Sequence, residues 1–269
     1  MNIKQSKFKT VSSWLFLGIL FVSSLLFGLL SSSKPSTSIN TRAAVSTGGK
    51  TITVSGTSGE ALQQAIDSAK DGDTVVLPTG VYSGTSAIPL GLGDAIFVSE
   101  SRGASATCFI RIEGKSITLK GQNMGSMIYG EGHSPGRADV MPYKTRAGVC
   151  VVNGANVTFD GVRIKEFQKR CVVVYNSTVI FKNSQIEGCD EGGASLLGNS
   201  SGLFVNNNIY SVNFGGIMLW QNSQAKIVNN TFYGASIMFF YHPKTDDKAF
   251  AEITNNIVPL INQVDWWTS

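Results

Sequence analysis

Between residues 157 and 258 the apolar positions come in short alternating runs, not in helical stripes. "VTFDGVRI" at 157–164, "VIFKNSQI" at 179–186, "LFVNNNI" at 203–209, "KIVNNTF" at 226–232 and "EITNNIV" at 252–258 share one order. An apolar anchor is followed by a turn-forming pair, then by another apolar residue. The anchors are Phe159, Phe181, Phe204, Ile227 and Ile253, spaced by 22, 23, 23 and 26 residues. Two residues past them stand Gly161, Asn183, Asn206, Asn229 and Asn255. Asparagine is depleted in strands and helix interiors but tolerates the left-handed region, so the slot reads as a recurring turn. "ITLKGQNM" at 117–124 is an earlier copy with Gly121 in the slot, and the 40 residues to the next copy leave room for an inserted loop.

A second strand recurs between these copies: "GVCVVNG" from 148, "CVVVYNS" from 171, "GASLLGN" from 193, "GIMLWQN" from 216 and "SIMFFYH" from 236. A fixed period of 20 to 26 marks a stack of identical units. The units are too short and too strand-like for helical repeats, and they lack leucine-rich spacing. A β-helix remains, in which each coil lies about 4.8 Å above the last. An asparagine at one turn of every coil is then expected to stack on its neighbours as a ladder of Asn183, Asn206, Asn229 and Asn255, with glycine where the turn needs only positive φ.

The start of the domain agrees. "TSGEALQQAIDSAKDGDTVVLPTGVYSG" at 57–84 opens with a capping box, Thr57 to Glu60, and places Leu62, Ala65, Ile66 and Ala69 on one helical face. A short amphipathic helix is what an open solenoid end needs as a cover. This stretch resembles the N-terminal cap and first coil of the pectin-lyase-like superfamily, and the later coils resemble its right-handed parallel β-helix repeats. The resemblance implies an all-β, single-stranded right-handed parallel β-helix of about six coils with a short N-terminal capping helix. It implies no single activity, because this fold carries lyases, hydrolases, esterases, epimerases and adhesins.

Length and charge complete the layout. In 269 residues, 42% are hydrophobic and 15% charged, which marks a folded chain. The net charge of +4 resides at the N-terminus. Residues 1–42 hold five basic residues and no acid, so the remainder carries 17 basic against 18 acidic residues, a balance of −1. No basic footprint for nucleic acid exists. Residues 1–13 form a basic segment and 14–30, "WLFLGILFVSSLLFGLL", an uncharged run suited to a secretory signal or a membrane anchor. Residues 31–49 read as a linker, and 50–269 as the β-helix domain outside the cytoplasm. With Cys108, Cys150, Cys171 and Cys189 in no metal-binding spacing, one or two disulfides are expected there, in a pairing the sequence leaves open.

The chemistry is sparser. Of the polygalacturonase motif set only "RIK" at 163–165 is present, and a lone tripeptide reads as a strand end with solvated Arg163 and Lys165, not as a site. A polysaccharide lyase needs a base and a cation to neutralise the substrate carboxylate. "KEFQKR" at 165–170 stacks over "EGCDEG" at 187–192, so Lys165 meets Glu187 and Lys169 meets Glu191. In the lyase reading Lys169 or Arg170 is the base or charge clamp, and Asp190 with Glu191 holds Ca²⁺. The alternative is an interstrand ion-pair cluster. On the second strand, positions three and five should point outward, yet they are apolar. They include Tyr175, Trp220 and Phe240, an aromatic stripe that either binds sugar rings or lies under a covering segment. His133 with Asp139, and the pair Asp246–Asp247, are further loop candidates. The overall expectation is a β-helix interacting with an extracellular or cell-wall polysaccharide, with a non-enzymatic surface or adhesion module as the alternative.

Overall fold

The computed structural model describes residues 48–90, 107–130, 146–210, 212, 215–241 and 248–265. The N-terminal segments at 1–13 and 14–30, most of the linker, and the candidates His133, Asp139, Asp246 and Asp247 lie outside the described residues. Among the described residues, no helix is long and apolar enough to cross a membrane.

The chain winds as a parallel β-solenoid with three faces. The first face has eight strands, from Thr51–Thr53 to Phe250–Thr254. The second has six, from Gly80–Tyr82 to Thr231–Tyr233. The third has eight, from Ile88–Pro89 to Ile261–Asp265. Among the described residues, the first and third faces thus have more rungs than the six coils expected. The extra ones come from strands at both ends that carry no copy of the repeated phrase. Among the described residues, every strand pairing is parallel except that of Ile88–Pro89 with Thr107–Glu113.

The anchors read from the sequence lie in register. Leu119, Phe159, Phe181, Phe204, Ile227 and Ile253 are successive partners on the first face. Phe159 stacks on Phe181 at 4.2 Å between centroids, and Phe181 on Phe204 at 5.6 Å. Each fully buried ring of this row contributes roughly 1.5–3 kcal/mol. The inner rows of the third face, Val149/Val151 and Val172/Val174 onward, enter the same core.

Asn183, Asn206, Asn229 and Asn255 do share one turn, with φ between 52° and 55°, and Gly161 joins them at 68°. They are exposed, however, and the continuous ladder runs one residue later. Asn207 is 2% exposed and Asn230 is 1% exposed. The Oδ1 of Asn207 accepts from the Ser184 N–H at 2.9 Å, and the Asn207 N–H donates to Asn230 Oδ1 at 2.9 Å. The Asn230 N–H in turn donates to Asn256 Oδ1 at 2.7 Å. The Nδ2 groups reach back to the carbonyls of Phe181, Phe204 and Ile227. The division has a physical cause. The first residue of the pair must bend the chain through positive φ, which turns its side chain out, and the second then points inward where the axial N–H groups need acceptors. Gly121 is no left-handed residue. A Cβ there would stand 2.2 Å from the Gly161 carbonyl oxygen, so close approach of the two coils demands glycine.

The helix spans Gly59–Ser68 and buries Leu62, Ala65 and Ile66. Its N-cap is Ser58, not Thr57: the Ser58 hydroxyl accepts from the Ala61 N–H at 3.1 Å. Glu60 accepts instead from the Ser86 hydroxyl. The helix closes the end of the solenoid through Gln63, whose amide exchanges two 2.9 Å bonds with the Arg111 backbone. Lys115 Nζ donates to the carbonyls of Ile66 and Asp67 at the helix C-terminus, where a cation is favoured.

Replacing Asn207 by Leu orphans several buried groups and should cost about 2 kcal/mol, whereas Asn206→Gly should change stability by less than about 0.5 kcal/mol. Denaturant midpoints of the two variants check the one-residue shift. Equal losses would restore the outer ladder.

Candidate functional site

The residues singled out for chemistry gather at one corner of the solenoid. Strand Arg163–Lys165 on the second face leads through a short turn into strand Arg170–Tyr175 on the third. One coil on, Gln185–Glu187 leads into Gly192–Leu197. Lys165 pairs with Glu187 in register, as expected. The two turns hydrogen-bond to each other, Asp190 N–H to the Phe167 carbonyl at 3.2 Å and Glu191 N–H to the Lys169 carbonyl at 2.9 Å. Behind them the Cys171–Cys189 disulfide clamps adjacent coils, and Cys108–Cys150 does the same nearer the start. Both pairs are completely buried.

Lys169 forms an ion pair with Glu191. Arg170 is only 7% exposed, and its guanidinium lies over the Trp220 ring at 5.7 Å. Trp220 stacks face to face on Phe240, with centroids 3.7 Å apart and planes 3° apart. The structure thus joins Arg170, Trp220 and Phe240 in one cluster with Met218 and Met238. Phe240 is 2% exposed. Tyr175 and Trp220 are half-buried, packed on a cluster that includes Val152, Val173 and Leu197. The stripe is therefore mainly packed apolar surface, which matches the covered alternative better than an open row of rings. Among the described residues, no three His, Cys, Asp or Glu side chains gather where a metal ion would sit.

Round the corner, the second face presents a row the sequence reading passed over. Its strands are three or four residues long, and Ile128, Ile164, Ile186, Ile209 and Phe232 are buried. The residues after these point outward as Tyr129, Lys165, Glu187, Tyr210 and Tyr233, each the register partner of the next. Tyr233 is 76% exposed. Lys165 Nζ lies 5.7 Å from the centre of the Tyr129 ring. The signal was present in "NNNIY" and "NNTFY", where the tyrosine follows the buried residue, but three residues are too few to display a period of two.

A closed ion cluster sits in the middle of this row. Arg163 donates to Glu187 through Nε at 3.0 Å and Nη2 at 2.5 Å. Lys165 lies 2.5 Å from the Glu166 carboxylate and 3.7 Å from that of Glu187. Gln185 Nε2 donates to the Tyr210 hydroxyl. Burial pushes the Glu187 carboxyl up, but hydrogen bonds from Arg163 and Tyr210 and the charges of Arg163 and Lys165 outweigh it and hold the group below the usual glutamate range. Burial, then the hydrogen bond and charge of Glu187, raise the Tyr210 hydroxyl above its ordinary value. Burial lowers Lys165, yet the Glu166 bond and the Glu187 charge leave it raised overall.

The family model described as "right handed beta helix region" matches residues 140–262, in agreement with the parallel solenoid. The solved alginate lyase from Paenibacillus sp. str. FPU-7 is 14% identical, with a TM-score of 0.31, over 80% of this chain and 97% of that one. No curated protein matches the sequence.

Two outcomes test this corner. Because the folded pKa of Glu187 is depressed, its contribution is fully present above the unfolded value near 4.3 and is lost as pH falls through the lower folded value. Glu187→Gln should therefore flatten the acid limb of a stability–pH curve and leave its slope near neutrality unchanged. Trp220→Ala should cost about 3 kcal/mol in denaturant unfolding, as for a packed aromatic. A loss below about 0.5 kcal/mol would return the ring to the exposed class.

Proposed function

We propose that this chain is an exported β-helix that binds a polysaccharide along the outer face of its second sheet. The observation that carries the reading is the register row Tyr129–Lys165–Glu187–Tyr210–Tyr233, with an open tyrosine at one end. Tyr210 and Tyr233 stand one coil apart, about 4.8 Å, and Tyr129 lies three coils from Tyr210, about 14 Å. The coil rise is close to the advance per sugar of an extended chain, so one polysaccharide lying along the solenoid axis meets rings at both ends of the row. Tyrosine suits this role, offering an apolar ring for the sugar face and a hydroxyl for its edge. Tyr175, Trp220 and Phe240 act from the neighbouring face as packing that stiffens the corner.

Binding without cleavage is the favoured form. Lys169 is engaged by Glu191, and Arg170 is buried over Trp220, so neither candidate base stands open to a substrate. Export is supported by the lysine-flanked apolar run at 14–30, acting as signal or tether, and by two disulfides suited to an oxidising compartment.

A polysaccharide array probed with residues 50–269 should show retention on at least one glycan. Tyr210→Ala with Tyr233→Ala should weaken it about tenfold or more. Tyr233→Ala alone should shift the melting temperature little, because its ring is exposed. Retention that survives both substitutions would remove the row from recognition. Appearance of ultraviolet-absorbing unsaturated products would overturn binding without cleavage.

A further inference from the structure

We infer that the polysaccharide taken by the second face is neutral, not a uronate; the inference rests on the binding row proposed above. Among the described residues, the strands of the outer face carry two cations, Arg163 and Lys165, at its centre. Both are closed by carboxylates: Arg163 by Glu187, and Lys165 by Glu166 and Glu187. Two cations face two anions, a sum of zero. One turn further on, Lys169 is likewise closed by Glu191. A uronate needs an uncompensated cation for each carboxylate it presents. Here each of these described cations, Arg163, Lys165 and Lys169, would bring a glutamate with it. These pairs are not loosely solvated: the Lys165 and Glu187 side chains are 16% and 17% exposed, so they sit where water screens them least.

The other outward positions complete the argument. Gln185, Asn208 and Thr231 are register neighbours on the same face. Amides and hydroxyls both donate and accept, as sugar hydroxyls do, and none offers charge to a carboxylate. Tyrosine rings at both ends supply apolar contact that is indifferent to salt. The face therefore has the composition to hold a hydroxyl-rich, uncharged chain, with its ion pairs acting as fixed hydrogen-bonding groups.

The test is retention of residues 50–269 on immobilised cellulose, xylan and mannan against alginate and polygalacturonate. Salt is raised from about 0.01 M to about 1 M, which shortens the screening length from about 30 Å to about 3 Å. Retention on a neutral glycan that salt leaves unchanged, with about tenfold weaker retention on both uronates, is the expected result. Salt-sensitive retention on a uronate that Tyr210→Ala with Tyr233→Ala abolishes would overturn neutrality while leaving the row as the site. Retention on no glycan, or retention those substitutions do not touch, would overturn the row itself. Opening the cluster supplies a gain-of-function arm: Glu187→Gln, or Glu166→Gln at the turn should the first fold poorly, leaves one positive charge uncompensated. Either should create salt-sensitive retention on polygalacturonate that the unaltered protein lacks. Absence of that gain in a folded variant, checked by its melting transition, would show that charge closure does not set the preference.

Discussion

At the turn between the first and second faces, each coil leaves a backbone N–H pointing along the solenoid axis toward the next coil. The side-chain oxygens of Ser184, Asn207, Asn230 and Asn256 accept these N–H groups. The rest of the solenoid depends on this arrangement. An amide that accepts from the coil below and donates to a carbonyl in the same step fixes both the height and the rotation of its coil. Once the turn is fixed, the phenylalanine row must stack and the isoleucine row of the second face must fill the core. The residues on either side of those rows have no choice but to face solvent. An unsatisfied group there would cost about 1–3 kcal/mol in a buried setting, enough to shift a coil out of register.

The repeat was legible because three constraints recur together: an apolar anchor, a residue able to adopt positive φ, and a polar residue to cap the axial N–H. Spacing alone placed the anchors correctly and predicted that Lys169 meets Glu191 and Lys165 meets Glu187. It did not divide the labour within the Asn-Asn pair, since both residues satisfy the same statistical description. Only the backbone shows that the first bends the chain and the second bonds. The helix cap slipped by one residue for a similar reason. Thr57 and Ser58 are both good caps, but Ser58 is the one in an extended conformation directly before the helix, paired with Ser83 across the turn.

The two outward faces were read unequally. On the third face, longer strands made alternation visible, and its outer positions are apolar. Burial of Phe240 beside Trp220 and the seating of Arg170 over that ring favour cover. On the second face, strands of three or four residues hid the alternation, so "RIK" was read as a solvated strand end and its place as the charged rung of a longer row was not seen. A sheet face of single-triplet strands is best read down the rungs, comparing third residues across coils, because the information lies between copies and not within one.

Charge closure follows from the same geometry. Lys165 and Glu187 are held one rung apart by Ile164 and Ile186 behind them, so neither can swing away to meet a ligand without breaking a partly buried pair. Glu166 holds the other side of Lys165 from a turn at φ 58°, in the slot that Gly188 fills one coil later. A non-glycine residue there costs about 1 kcal/mol or more, and the side chain it provides is the second carboxylate of the cluster. A glycine at 166 would relax the turn but leave two cations facing one anion. The backbone strain and the charge closure of Lys165 therefore meet at one residue, Glu166.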